Sequence, residues 1–238
     1  MSVRMGTVRL LAACACVSMI AIAPAAASTV EKQGTFNGLT VHYKVVLPDH
    51  YDPARAYPTI LAFPPGGQDM RTVDNRLEAN WRAEAERRGY VVVSPAAPDG
   101  NLFFEEGSRA FPAFIEQIFE DYKVQGGKLI VAGASNGGLS AFYIASKYPK
   151  YVRTLIGYPG LLEETTPAAV AALKPMCIYM HVGGDDTGWR TEMQSQAAEL
   201  KRDGLNVTFT VEPGQPHMIR TLAGDGAKRL FDEIEACK

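Results

Sequence analysis

The chain has 238 residues, 47% of them hydrophobic and 21% charged, which fits one globular domain able to bury a core without metals or crosslinks. Its formal net charge is −2, from 24 basic and 26 acidic side chains. With no basic stripe, that balance argues against nucleic acid as a partner.

The first element in chain order is the stretch MSVRMGTVRLLAACACVSMIAIAPAAAS. Arg4 and Arg9 precede an apolar run that ends in Ala25, Ala26 and Ala27, the order of a secretory signal peptide cut before Ser28. Residues 1–27 are therefore expected to be removed, leaving 28–238 as a single exported domain, periplasmic or extracellular. The apolar run is shorter than the roughly twenty residues a membrane span needs, so no stable membrane anchor is expected after cleavage. LAAC (11–14) looks like a lipoprotein box, but only one residue, Leu10, separates it from Arg9, so no hydrophobic segment precedes the would-be cleavage point. Cleavage removes two arginines and no acids, moving the formal charge from −2 to −4. It also removes Cys14 and Cys16. Cys177 and Cys237 remain, either paired in an oxidising compartment or as two buried thiols, and no Cys/His spacing suggests a metal site.

From Thr35 onward short apolar runs alternate with helical stretches. LTVHYKVVLP (39–48) reads as a strand and YPTILAFPP (57–65) as a strand buried on both faces. A helix at 75–89, the strand YVVVSP (90–95), a helix near 109–123 and the strand KLIVAG (128–133) follow. Next come a helix at 137–147, the strand VRTLIGYP (152–159), a short helix near 166–173 and the strand MCIYMHV (176–182). A helix at 188–202, the strand NVTFTVE (206–212) and a helix from about 220 to 237 close the chain. This alternation predicts an α/β fold with a mostly parallel sheet covered by helices on both faces. Ligands in such sheets bind beyond the carboxyl ends of the strands. Pro64 to Gln68, Ser135, Asp185 with Asp186, and His217 all follow strands, so their loops are expected on one edge.

Glycine on both sides of one of the nine serines arises from composition alone in roughly one such chain in twelve, so the context of GASNGG must carry the argument. Strand, Ser135 and a helix starting near Asn136 make the strand, sharp turn and helix of a nucleophile elbow. Gly133 and Gly137 lack a Cβ, which lets the turn close. The alternative role for Ser135 is that of a helix N-cap. Of the four histidines, His42 and His181 fall inside strands and His50 in an early turn. His217, in EPGQPHM, follows the last strand outside regular structure and is the candidate general base.

With GASNGG, the stretch YKVVLPDHYDPARAYPTILAFPPGGQ and the order Ser, Asp, His, the sequence resembles the α/β-hydrolase superfamily from about Tyr43 to His217. Within it the chain is similar to compact secreted esterases: the feruloyl esterase, polyhydroxybutyrate-depolymerase-like and esterase D-like group. The resemblance implies a serine carboxylic-ester hydrolase that works through an acyl-enzyme and needs no cofactor or metal. Its acid usually lies three residues after the glycine ending the strand; counting from Gly183 gives Asp186, the expected acid, with Asp185, counted from Val182, as the alternative. Its oxyanion hole would take one backbone N–H from Asn136 and one from the loop after TILAF. Relatives usually show His-Gly there, whereas Pro64 and Pro65 have no N–H, leaving Gly66, or alternatively Gly67. About sixteen residues separate Pro159 from Met176, where many relatives insert a lid, so an open groove is expected, suited to a bulky, polar or polymeric ester, with a small-molecule or polymeric ester as the substrate. Gln68 is expected to orient the loop after TILAF or touch substrate, with a solvated glutamine as the alternative, and Phe104, Tyr158 and Trp189 are candidates to touch substrate. A peptidase of the prolyl-oligopeptidase type and a non-catalytic binding protein are the alternatives; oligomeric state leaves no mark in the sequence.

Overall fold

The computed structural model describes residues 28–237, so the expected signal segment, with Cys14 and Cys16, lies outside the described residues. Eight strands form one sheet: β1 (Ser28–Phe36), β2 (Leu39–Leu47), β3 (Thr59–Phe63), β4 (Val91–Pro95), β5 (Leu129–Gly133), β6 (Val152–Gly157), β7 (Cys177–Gly183) and β8 (Asn206–Glu212), in the order β1-β2-β4-β3-β5-β6-β7-β8. Pairings β1–β2 and β2–β4 are antiparallel and those from β4 to β8 parallel.

The central strands are apolar without interruption because each face of the sheet meets its own core. In β5, Leu129 and Val131 point into one core, and Ile130 and Ala132 into the other. Leu61 with Phe63 and Ile60 with Ala62 divide β3 in the same way. Four helices, α3 (Ala113–Asp121), α4 (Asn136–Lys147), α5 (Pro167–Leu173) and α6 (Thr187–Arg202), supply the first core with Phe114, Phe142, Leu173 and Leu200 among others. The second is capped by α1 (Met70–Arg76), a π-helical turn (Leu77–Trp81), α2 (Arg82–Arg88) and α7 (Lys228–Ala236), which bury Trp81 and Phe231 edge-to-face with centroids 5.7 Å apart. Each large apolar side chain buried this way contributes about 1.5–3 kcal/mol.

The expected strands between 39 and 212 all form, and the differences have local causes. β1 escapes a hydrophobicity reading because its sequence, STVEKQGTF, is an edge strand exposed along most of its length. Its turn is legible, though: Asn37 and Gly38 both take positive φ, 50° and 82°, the signature of a two-residue hairpin. The helix expected at 75–89 begins instead at Met70, where Asp69 caps it by accepting from the Thr72 N–H at 2.7 Å. The helix expected near 109–123 is split, a 3-10 turn (Glu106–Ala110) preceding α3, with Pro112 between them. The last helix likewise starts at Lys228, after two 3-10 turns (Arg220–Leu222 and Gly224–Ala227).

Since β3, β5, β7 and β8 run parallel, the loops leaving Phe63, Gly133, Gly183 and Glu212 open on the same edge, as the sequence predicts. The crossover from β6 to β7 carries only the seven-residue α5 and inserts no lid. Cys177 and Cys237 are joined by a disulfide, tying the start of β7 to the end of α7.

Candidate active site

Ser135 is the second of the two residues, Ala134 and Ser135, that turn the chain between β5 and α4, with φ 57° and ψ −125°. A non-glycine residue held there costs on the order of 1–3 kcal/mol, so its surroundings must fix it. They do so through backbone contact. The Ser135 N–H donates to Pro159 O at 2.8 Å, and its carbonyl accepts from Leu139 N–H at 3.0 Å. A Cβ on Gly133 would lie 2.0 Å from Gly137 O; one on Gly137, 2.2 Å from Phe63 O; and one on Gly138, 2.1 Å from Pro159 O. All three glycines of GASNGG are thus positions where main chains touch. The Ser135 hydroxyl makes no capping bond to the helix.

It points instead to His217, whose Nε2 lies 2.8 Å from Ser135 Oγ, while Nδ1 lies 2.6 Å from Asp186 Oδ2. Three side chains, each from the loop after a different strand, β5, β7 or β8, are therefore brought into one hydrogen-bonded line. The acid side chain is 15% exposed and the imidazole 36%, so the line is open to solvent at the histidine. Asp185, the other candidate acid, is exposed; its N–H is taken by Gln215 O at 3.0 Å. The two loops are locked together there, because a Cβ on Gly183 would lie 2.2 Å from Pro216 O. In such an arrangement the imidazole can accept the hydroxyl proton while the carboxylate holds the opposite N–H and stabilises the charged ring.

The loop after β3 turns at Gly66, with φ 63° and Gln68 N–H donating to Pro65 O at 3.2 Å. Asn136 Nδ2 donates to Gly66 O at 2.9 Å, so the residue following Ser135 grips this loop with its side chain. Gln68 does not face substrate: it is fully buried. Its Nε2 donates to Ser140 Oγ at 2.9 Å, which in turn donates to Asn136 O at 2.9 Å, and its Oε1 accepts from Phe103 N–H at 3.2 Å. Gln68 is thus a brace between the loop and α4. Its partner Ser140 was legible only as a polar residue one helical turn beyond Asn136.

Tyr158 is also corrected. It is 2% exposed and packs edge-on to Trp81 at 5.9 Å in the second core, and burial pushes its hydroxyl pKa up to about 12. The chain turns it under the sheet because Tyr158 N–H is held by Gly133 O at 3.0 Å. Trp189 does flank the site, its ring 5.3 Å from the His217 imidazole. It lines a cleft of about 450 Å³ together with Leu139, Leu161, Glu163 and Glu192. Phe104, half-buried, lines a smaller recess with Leu139, Tyr143 and Leu162. Two carboxyl groups, Glu163 and Glu192, line this cleft; burial, with Glu105 and Glu164 nearby, raises the Glu163 pKa.

No protein-family profile matches the sequence. Over 131 residues the chain is 28% identical to dipeptidyl-peptidase 5 of Porphyromonas gingivalis, a match that covers 50% of this chain and 19% of that one; the chain thus spans about a fifth of that relative. Among solved structures, it superposes on the dienelactone hydrolase of Anabaena variabilis with a TM-score of 0.65 at 15% identity, covering 89% and 96% of the two chains. It superposes on a feruloyl esterase module from Clostridium thermocellum, complexed with sinapinate, with a TM-score of 0.63 at 18% identity, covering 81% and 83%. The fold is that of the α/β-hydrolases.

Proposed function

We propose that this protein is a serine hydrolase of carboxylic esters in which Ser135 is the nucleophile, His217 the general base and Asp186 the acid that orients it. The observation that carries the reading is the continuous line from Ser135 Oγ through His217 to Asp186, at a serine held in a backbone conformation serines seldom adopt.

Ser135 Oγ attacks the ester carbonyl carbon as His217 Nε2 takes its proton, and the carbonyl π pair moves onto oxygen. The oxyanion is held by the backbone N–H groups of Asn136 and Gly66; one such donor is worth about 2.7–4 kcal/mol. When the intermediate collapses, the C–O bond to the alcohol breaks and His217 protonates the departing oxygen, leaving an acyl-enzyme on Ser135. Water then attacks, giving its proton to His217, and the acid leaves as Ser135 is restored. The Asn136 side chain on Gly66 O and the Gln68–Ser140 brace keep the two donors in register before substrate arrives. The open cleft beside Trp189 and Leu139, with Phe104 nearby, suits a bulky or polymeric ester. The names of the superposed feruloyl esterase and dienelactone hydrolase support ester chemistry. The disulfide between Cys177 and Cys237 supports an exported, oxidising location, as does the signal-like sequence of residues 1–27. No helix among the described residues is long and apolar enough to cross a membrane.

A peptidase is the second reading, favoured by the match to dipeptidyl-peptidase 5. Purified mature protein should release nitrophenol from 4-nitrophenyl acetate with a burst of about one equivalent followed by steady turnover. Cleavage of aminoacyl nitroanilides faster than any ester in a panel of acyl groups and alcohols would favour the peptidase instead.

A further inference from the structure

Ester hydrolysis as described uses His217 and leaves another histidine buried in the sheet. His181, within β7, is 1% exposed, and both its ring nitrogens meet carboxylates. Nδ1 lies 3.3 Å from Glu212 Oε1 and Nε2 2.9 Å from Glu233 Oε2. A neutral imidazole has one N–H, so only the protonated ring donates to both. Glu212, the last residue of β8 and 5% exposed, also accepts from two guanidinium nitrogens of Arg229 at 3.0 and 2.7 Å, and from the Thr221 hydroxyl at 3.0 Å. With His181 protonated, two cations balance two carboxylates. With it neutral, a net negative charge is left largely out of water, which is costly.

The cluster lies at the root of the loop that carries His217. The Glu212 carbonyl accepts from Gly184 N–H of the Asp186 loop at 2.7 Å and from Gln215 N–H at 3.2 Å, while its carboxylate reaches Thr221 beyond the loop. One residue therefore ties the beginning of the loop to its end and to the loop carrying the acid. On α7, Arg229, Glu233 and the capping Cys237 recur every four residues, one face of a helix. Their partners are Glu212, His181 and Cys177, so three successive rungs pin the helix to β7 and β8. Tyr179 of β7 also faces the cluster, lying near both Glu233 and Arg153 of β6.

We propose that the His181–Glu212–Glu233–Arg229 cluster is a positioning device for His217, and that it holds the loop against Ser135 and Asp186 only while His181 carries its proton. The inference rests on the reading of His217 as the base. Burial opposes a charge on His181, but its bonds to Glu212 and Glu233 outweigh this and raise its pKa above the ordinary imidazole value. Bonds to His181 and Arg229 hold Glu212 well below the carboxylate range. The sign follows by linkage. The stabilisation from His181 is complete below about pH 6.5, the unfolded value, and is lost as pH rises through its folded pKa. That from Glu212 is present above about pH 4.3 and is lost only as pH falls through its depressed value. The His217 loop should therefore loosen on the alkaline side.

The test combines nitrogen-15 NMR of the histidine rings with kcat/KM for 4-nitrophenyl acetate between pH 6 and 10, on the mature oxidised protein. The Nδ1–H resonance of His217, hydrogen-bonded to Asp186, should change with the midpoint at which His181 titrates, and kcat should fall at least threefold over the same interval with KM within twofold. His181→Gln should abolish that alkaline limb. Glu212→Gln should move it to lower pH, since removing a carboxylate eases loss of the imidazolium proton. A His217 resonance that stays fixed while His181 titrates, or a limb unmoved in folded variants, overturns the proposal. Should either variant fail to fold, the two midpoints in the wild-type protein decide. Coupled midpoints in a protein without ester turnover would instead sink the hydrolase reading and leave the coupling standing.

Discussion

The two halves of the site are held in place by different physics. On the nucleophile side, Ser135 and the Gly66 loop are fixed by main chains in contact at Gly133, Gly137 and Gly138 and by neutral hydrogen bonds among Gln68, Ser140 and Asn136. On the base side, the His217 loop has one such main-chain contact, between Gly183 and Pro216, but it is also anchored on ionisable groups: Glu212, His181, Glu233 and Arg229. Steric contact and neutral hydrogen bonds do not change with pH, whereas an ion cluster does. The half that must stay strained is thus built from interactions that cannot titrate, and the half that would move a proton in the proposed mechanism adds ones that can.

The largest effect that tests this division comes at the reacting line itself. Asp186→Asn should lower kcat by about 10⁴-fold, because the amide favours the wrong imidazole tautomer, while Asp185→Asn should leave kcat within twofold. Comparable losses from the two would break the assignment of the acid.

Gly137→Ala should come next, and through the fold rather than the chemistry. Its Cβ would meet the Phe63 and Pro64 carbonyls at 2.2 and 2.6 Å, and backbone cannot yield as a flexible side chain does. A loss of more than about 3 kcal/mol in urea unfolding, or failure to accumulate folded protein, is expected. A near-neutral result would show that the turn is not fixed by contact.

A smaller effect is expected from Gln68→Leu. Removing the buried amide leaves the Phe103 N–H and Ser140 hydroxyl short of partners, a cost of about 1–3 kcal/mol. The loosened Gly66 loop should lower kcat about tenfold, by the same factor at pH 6 and pH 9. A pH-dependent loss would erase the contrast with the His217 side.

How much of this was legible in the sequence follows the same division. Ser135, His217 and Asp186 could be placed because each follows a strand whose apolar run is unmistakable, and parallel strands send their loops to one edge. β1 was not, since an exposed antiparallel edge carries no apolar run and announces itself only by Asn37-Gly38. Tyr158 was placed at the site for being near a strand end and Gln68 for lying in the loop after β3, yet one residue's rotation about a strand or turn decides between cleft and core. Periodicity does not resolve a rotation of that size in a loop. The His181 cluster was invisible for a related reason: a histidine inside a strand reads as core filling until the pairing of β7 with β8 brings Glu212 to it and the packing of α7 brings Glu233, 52 residues away, and Arg229.

The most direct test of the account is covalent. Incubating the folded, mature protein with a fluorophosphonate and mapping the adduct by peptide mass spectrometry should give one phosphonylated residue, Ser135, with labelling lost in Ser135→Ala and slowed by orders of magnitude in His217→Ala. Absence of any adduct on the folded protein, or an adduct on a different side chain that persists in Ser135→Ala, would contradict the activation of Ser135 by His217 on which everything else depends.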